Sequence, residues 1–365
     1  MTIARPHVGA STLRPNQRFN WPKTIAITAA VAGAAVFLLV TSRRGAQGDP
    51  RRVNPHPAAT YVVNGTPRGE PALWGFQYWP EFFGLLMLVI AVAVMTPFVI
   101  SSFRERKLTH SLMVFLATAI LAWMDPLANW VTYTDYNPQL LQFPTTWPWF
   151  ELSPTVEPLL VIPGYPFYYF SVALLAFGGY NRYVLRRVGV NSWWRRHPRL
   201  GAFIIGFAIG TVWDIPTELF MINARMYSYS QYWGPTLSIG GPHVALPLIW
   251  SLFTIISIAT ITVLFYRDDR GESVMTVVGR RLPRFGFQLN SSAEPSAGRK
   301  VFAAALILSV MYAGLCLFYG ALRVTGIAGH AMPQPWVYQE LKTYDPQGVL
   351  EKAGFPGPFY RSCCS

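Results

Sequence analysis

Long apolar runs separated by short polar or basic connections dominate the chain, and no amphipathic alternation of a water-soluble fold replaces them. The stretches without a charged residue or histidine are 24–42, 82–103, 111–124, 158–181, 200–213, 244–266 and 301–322. A helix that crosses a bilayer takes about 20 apolar residues. Five runs reach 19 to 24 residues, and the two shorter ones continue past an acid to about Tyr133 and Ile222. The pattern predicts an all-α, polytopic membrane helix bundle with about seven transmembrane helices. Its spans fall near 24–42, 80–103, 110–132, 158–181, 200–222, 244–266 and 301–322. Residues 1–23 read as a basic, disordered N-terminal tail and 323–365 as a C-terminal extramembrane tail, leaving one membrane domain over 24–322.

The two interruptions carry the most information. SLMVFLATAILAWM follows His110 and runs 14 residues to Asp125; LGAFIIGFAIGTVW follows Arg199 and runs 14 residues to Asp214. At 1.5 Å per residue, each acid falls about 9 Å inside the polar boundary. A carboxylate there costs on the order of 2.5–3.5 kcal/mol. Acids in such places face a cavity and are the first candidates for chemistry or transport.

Composition and charge refine this picture. The 365 residues are 52% hydrophobic and only 13% charged, about half the charge of a soluble domain. The net charge of +13 would suggest nucleic acid in a soluble protein, but its location gives another answer. With a cytoplasmic N-terminus, 20 of the 30 Lys and Arg lie in inside segments, as the positive-inside rule requires. The expected location is a bacterial cytoplasmic membrane, the partners are membrane lipid and a lipophilic small molecule, and no nucleic-acid partner is implied. The first run is too long for a signal-peptide core, and TSRRGAQ after it lacks a cleavage site. Three cysteines show no metal spacing, and nothing in the sequence sets an oligomeric state.

Under that topology six ionisable groups from five helices meet at the outer face. Glu81 opens the second span, Asp125 with Asn129 nears the end of the third, and Glu157 opens the fourth. Asp214 and Glu218 end the fifth, and His243 opens the sixth. Asp214/Glu218 and Asp125/Asn129 are i,i+4 pairs, so each projects from one helical face. Pro126 and Pro216 free backbone carbonyls in the same segments, which is tolerated only beside protein or a wet cavity. Paired acids in a low-dielectric pocket favour one neutral and one charged member, the arrangement that general acid–base catalysis needs. Asp214, Glu218, Asp125 and Glu157 are therefore the catalytic candidates. His243, Asn129, Tyr133, Trp130, Trp213 and Glu81 are candidates to bind substrate. The bland alternatives stand beside them: Glu81 as a helix-start charge, His243 as an anchor of its helix, and the other acids hydrogen-bonded at separate helix ends. No HxxxH or HxxE occurs and no metal is expected; nor is any nucleotide, flavin or haem signature present, so no cofactor is implied. The aromatic, Pro-rich segment 133–158 reads as a lid.

The basic tail, the seven spans, WDIPTE in the fifth and the aromatic outer lid resemble the AveC-like family of actinobacterial membrane proteins, named for a spiroketal-forming member. The resemblance extends over about 70–330. It implies ring closure of a dihydroxy-ketone to a spiroketal with loss of water, on a polyketide- or lipid-like substrate. In this chain Asp214 and Glu218 would be the acid–base pair and Asp125 the charge stabiliser, with Tyr133, Trp130 and Trp213 lining the pocket. A proton-coupled transporter or lipid-binding membrane protein, and a terpene cyclase-like enzyme, remain as alternatives.

Overall fold

The computed structural model describes residues 79–136, 140, 143, 149–154, 157–224, 226–229, 232, 234–238, 245–282 and 294–329. Among them, six helices are long and apolar enough to cross a membrane. They are α1 (Trp79–Arg104), α2 (His110–Thr132), α3 (Val161–Leu185), α4 (Pro198–Asn223), α5 (Leu248–Phe265) and α6 (Ala297–Ala328). The first apolar run, 24–42, lies outside the described residues, so this bundle counts six. Helix α6 runs past 322 with Arg323 buried inside it. The guanidinium donates to the Trp130 carbonyl and lies over the Trp130 and Tyr133 rings, 5.0 and 4.4 Å from their centroids. These contacts let the helix continue past a charge.

Helix α5 is well enclosed, with Trp250, Phe253, Ile258, Ile261 and Leu264 all buried, and α1 the least, with only Met87, Ala91 and Ser102 covered among its described side chains. The outward faces carry Leu85, Leu175, Val212 and Leu317, 61–75% exposed. Water would oppose that surface, whereas hydrocarbon accepts it.

Prolines shape the helices locally. Pro126 cannot donate to the Ala122 carbonyl, and the chain tightens to a 3₁₀ turn over Ala122–Met124 before α2 resumes at Asp125. In α3, Pro166 opens a π-turn over Pro166–Phe170. Two short antiparallel ribbons cap the end where α2 and α4 finish and α3 and α5 begin. Strand β1 (Thr134–Tyr136) pairs with β2 (Tyr227–Tyr229), and β3 (Thr236–Ser238) with β4 (Ala245–Pro247). Because β4 occupies Ala245–Pro247, α5 starts at Leu248 rather than at 244.

The tightest packing joins α4 to α5. Gly206, Gly210, Asp214 and Glu218 recur every fourth residue along one buried face of α4. The glycines bring the backbones together: a Cβ on Gly206 would fall 2.6 Å from Thr262 Oγ1 and 2.9 Å from Ala259 Cα. Close approach of this kind is how helices pack where water gives no hydrophobic drive. It also sets Asp214 against Ser251 and Thr254, one step further along the seam. Gly206→Ala is expected to cost about 1–3 kcal/mol, because the Ala259 backbone cannot move aside. A lowered thermal-unfolding midpoint in detergent would show it. Gly178→Ala in α3, with open space around it, is the control and should hold or raise the midpoint.

Candidate functional site

Four carboxyls lie buried at the ribbon-capped end of the bundle: Asp125, Glu157, Asp214 and Glu218. Among the described residues none of them forms an ion pair. Hydroxyl and amide donors take the place of cations.

Asp125 opens the second half of α2. Its Oδ1 accepts from Tyr165 at 2.7 Å and its Oδ2 from Asn129 Nδ2 at 2.8 Å. The Tyr165 proton is committed to Asp125, so the short contact between the Tyr165 and Tyr312 hydroxyls must use the Tyr312 proton. A chain Tyr312→Tyr165→Asp125 results. The same Asn129 Nδ2 reaches Glu157 Oε2 at 2.9 Å, so one amide bridges two acids. Ser153 also donates to Glu157 Oε2. With both donors on one oxygen, Oε1 is the natural seat of a proton. Burial, reinforced by the neighbouring Asp125 charge, pushes the Glu157 carboxyl well above the ordinary carboxylate range.

The second pair stands one turn apart on α4. Glu218 Oε2 accepts from Tyr227 at 2.6 Å and Tyr229 at 2.9 Å. Burial, followed by the Glu218 charge, pushes both phenols well above their ordinary range, so they remain donors at any working pH. Asp214, fully enclosed, accepts from Tyr168 at 3.0 Å. Ser251 and Thr254 flank it, yet no normal hydrogen bond reaches its Oδ2.

Between the pairs is a cavity of about 90 Å³. Asp125 and Glu218 both face it, with Tyr136, Tyr165, Tyr168, Tyr169 and Tyr227 as polar-tipped walls. Phe83 and Met87 of α1 and Met221 and Met226 from the α4 end complete an apolar side. The π-turn carries Tyr168 and Tyr169, and with Tyr165 just before it three tyrosines are aimed at three helices. Tyr165 reaches α2, Tyr168 reaches α4, and Tyr169 bonds to Thr254 of α5.

The other sequence candidates fall around this centre. Asp214 stands off the cavity wall, with Tyr168 between. Glu157 touches the site through Asn129. Trp130 and Tyr133 face Arg323, and Trp213 packs edge-on to Tyr168 at 6.0 Å. The Glu81 side chain and His243 lie outside the described residues. Of the expected lid, Tyr136 forms part of the wall, Phe143 stacks on Phe150 at 4.4 Å, and the Phe143 N–H donates to the Glu157 carbonyl. The tyrosines of α3 were missed by sequence reasoning, although PGYPFYYF carried a signal: three hydroxyls behind two prolines in an otherwise apolar run.

Residues 105–344 of the 365 match the family model described as Spirocyclase AveC-like. No curated protein and no solved structure matches the chain. The matched stretch holds all four acids and α2 to α6; α1, with its two cavity residues, precedes it.

A carboxyl whose folded pKa is raised stabilises the fold fully below its unfolded pKa and loses that contribution as pH climbs through the folded one. The thermal midpoint is therefore expected to fall as pH rises from about 4. Glu157→Gln, a neutral mimic, should flatten that slope and be the more stable protein at the alkaline end. Equal slopes in both proteins would remove Glu157 as the cause.

Proposed function

The chain belongs to the AveC-like spirocyclase family, and on that premise we propose that it closes spiro rings by acid–base catalysis in a membrane-embedded cavity. The substrate class is a lipophilic, polyketide- or lipid-like dihydroxy-ketone, and the second product is water. The observation that carries the reading is two carboxyls from different helices facing one small cavity, each held by tyrosine hydroxyls and neither paired with a cation among the described residues.

The proposed roles differ from the sequence expectation, because Asp125 and Glu218 face the cavity and Asp214 does not. Asp125 begins as the carboxylate, since both of its oxygens already accept hydrogen bonds. Glu218 begins protonated on Oε1, since both tyrosines crowd Oε2. The first substrate hydroxyl attacks the ketone carbon and loses its proton to Asp125, while Glu218 protonates the carbonyl oxygen. This forms the hemiketal. Asp125 then returns its proton to that new hydroxyl, the carbon–oxygen bond breaks, water leaves and an oxocarbenium ion remains. The second hydroxyl attacks the cation and gives its proton to Glu218. Both acids end as they began, and one water is lost.

The surrounding groups have fitting tasks. Carboxylate charge and tyrosine ring faces stabilise the cation. Exclusion of bulk water keeps the cation from being recaptured. Tyr165, Tyr227 and Tyr229 fix the carboxyl orientations, and Asp214 holds Tyr168 in place. A volume of about 90 Å³ suits the reacting carbon and its oxygens. The rest of a lipophilic substrate would extend past α1, whose thin contact with the bundle allows displacement.

Ring closure of a dihydroxy-ketone also proceeds slowly in acidic water, so the test reads both rate and epimer ratio. Wild-type protein in detergent should accelerate formation of a product one water lighter and fix its stereochemistry. Asp125→Asn and Glu218→Gln are each expected to lose about 10²–10⁴-fold in rate, and Asp214→Asn less. Full rates in the first two variants would refute the assignment. Substrate-dependent proton flux in liposomes, with ring closure unaffected by either variant, would point to transport instead.

A further inference from the structure

The far end of the bundle holds a second, larger cavity, of about 360 Å³, where α3 ends, α4 begins and α5 ends. Arg186, Arg195 and Arg267 converge on it from three separate backbone segments: the turn after α3, the short helix Trp193–Arg196, and the turn after α5. Phe177 and Phe265 supply an apolar floor. Among the described residues none of the three arginines forms an ion pair. Arg267 donates through Nε to the Gly271 carbonyl at 3.0 Å, which leaves the other guanidinium nitrogens for a ligand. Among the described lining residues three cations meet a single anion, Asp269.

We infer that this cleft binds the phosphodiester headgroup of an anionic phospholipid. Guanidinium groups match phosphate oxygens in paired hydrogen bonds. Three of them around one cleft, opposed by one carboxylate, leave an excess of positive charge that a phosphodiester would balance. Basic pockets between helix ends are the form such recognition takes in membranes. The apolar floor suits the glycerol and first acyl carbons, which free phosphate lacks. Aromatic residues at the same level mark headgroup depth. Tyr183 is 56% exposed between Arg182 and Arg187, which lie 5.4 and 5.3 Å from its ring, and Trp193 is 39% exposed. Tyr and Trp collect at membrane interfaces. Arg104 and Arg106 at the α1–α2 turn are exposed, as are Arg186, Arg195 and Arg267, but the latter three line one cavity together. A headgroup held by all three would tie the ends of α3, α4 and α5 together, far from the acids but on the helices that carry them.

The inference rests on the bundle lying in a bilayer, which is read separately by whether washed membranes release the chain only to detergent. The site itself is read from thermal midpoints of the full chain in nanodiscs of phosphatidylcholine, with and without phosphatidylglycerol. Phosphatidylglycerol should raise the midpoint of the wild type and of an Arg104→Gln, Arg106→Gln, Lys107→Gln control. It should not raise that of Arg186→Gln, Arg195→Gln, Arg267→Gln. Native mass spectrometry of single Arg195→Gln, which alters one exposed side chain, should show fewer retained phosphatidylglycerol molecules than the wild type. An equal gain in the cleft variant, no gain in the wild type, or the same gain from inorganic phosphate alone would overturn the lipid site.

Discussion

A carboxyl removed from water must find donors or remain neutral, and much of this fold can be understood as meeting that demand four times within one end of a helix bundle. Among the described residues no cation is paired with the acids, and the donors are hydroxyls and one amide. Each has to be delivered from a different element. In α3 the first turn supplies Tyr165 and the π-turn Tyr168, the β2 strand supplies Tyr227 and Tyr229, and the turn before α3 supplies Ser153. The irregular backbone is concentrated where those deliveries are made. Helix α5, which donates little to the site, is regular throughout.

Much of the architecture was legible in the sequence because membrane spans depend on long-range composition. The described helices follow runs defined only by the absence of charge, and the two acids that cut runs short mark the site's end of the bundle. What the sequence concealed is local geometry. Nothing in WDIPTELF tells that Glu218 faces the cavity and Asp214 stands behind Tyr168, because one turn of helix separates them and the distinction depends on how α4 sits against α5. The seam glycines decide that. Trp130 and Tyr133 were placed at the pocket for their aromatic character. They serve Arg323 instead, a residue that sequence reasoning took for the end of a helix.

The two α4 glycines and the two α4 acids obey one spacing, and this links stability to chemistry. Gly206 and Gly210 let the α4 and α5 backbones approach, and the same face then carries Asp214 and Glu218 toward the partner tyrosines. A helix that rotated by one residue would carry both pairs off the seam together. The glycine seam therefore sets the direction of the acids as well as the stability of the pair.

The β1–β2 ribbon has a further consequence. Its register pairs Tyr136 with Tyr227 and Thr134 with Tyr229, and strands repeat every two residues. Tyr227 and Tyr229 therefore present the same side. A slip of one position would turn both phenols outward, away from Glu218. Three residue pairs act as a ratchet with a single productive notch, and the ends of α2 and α4 are latched at the only spacing that gives Glu218 its two donors.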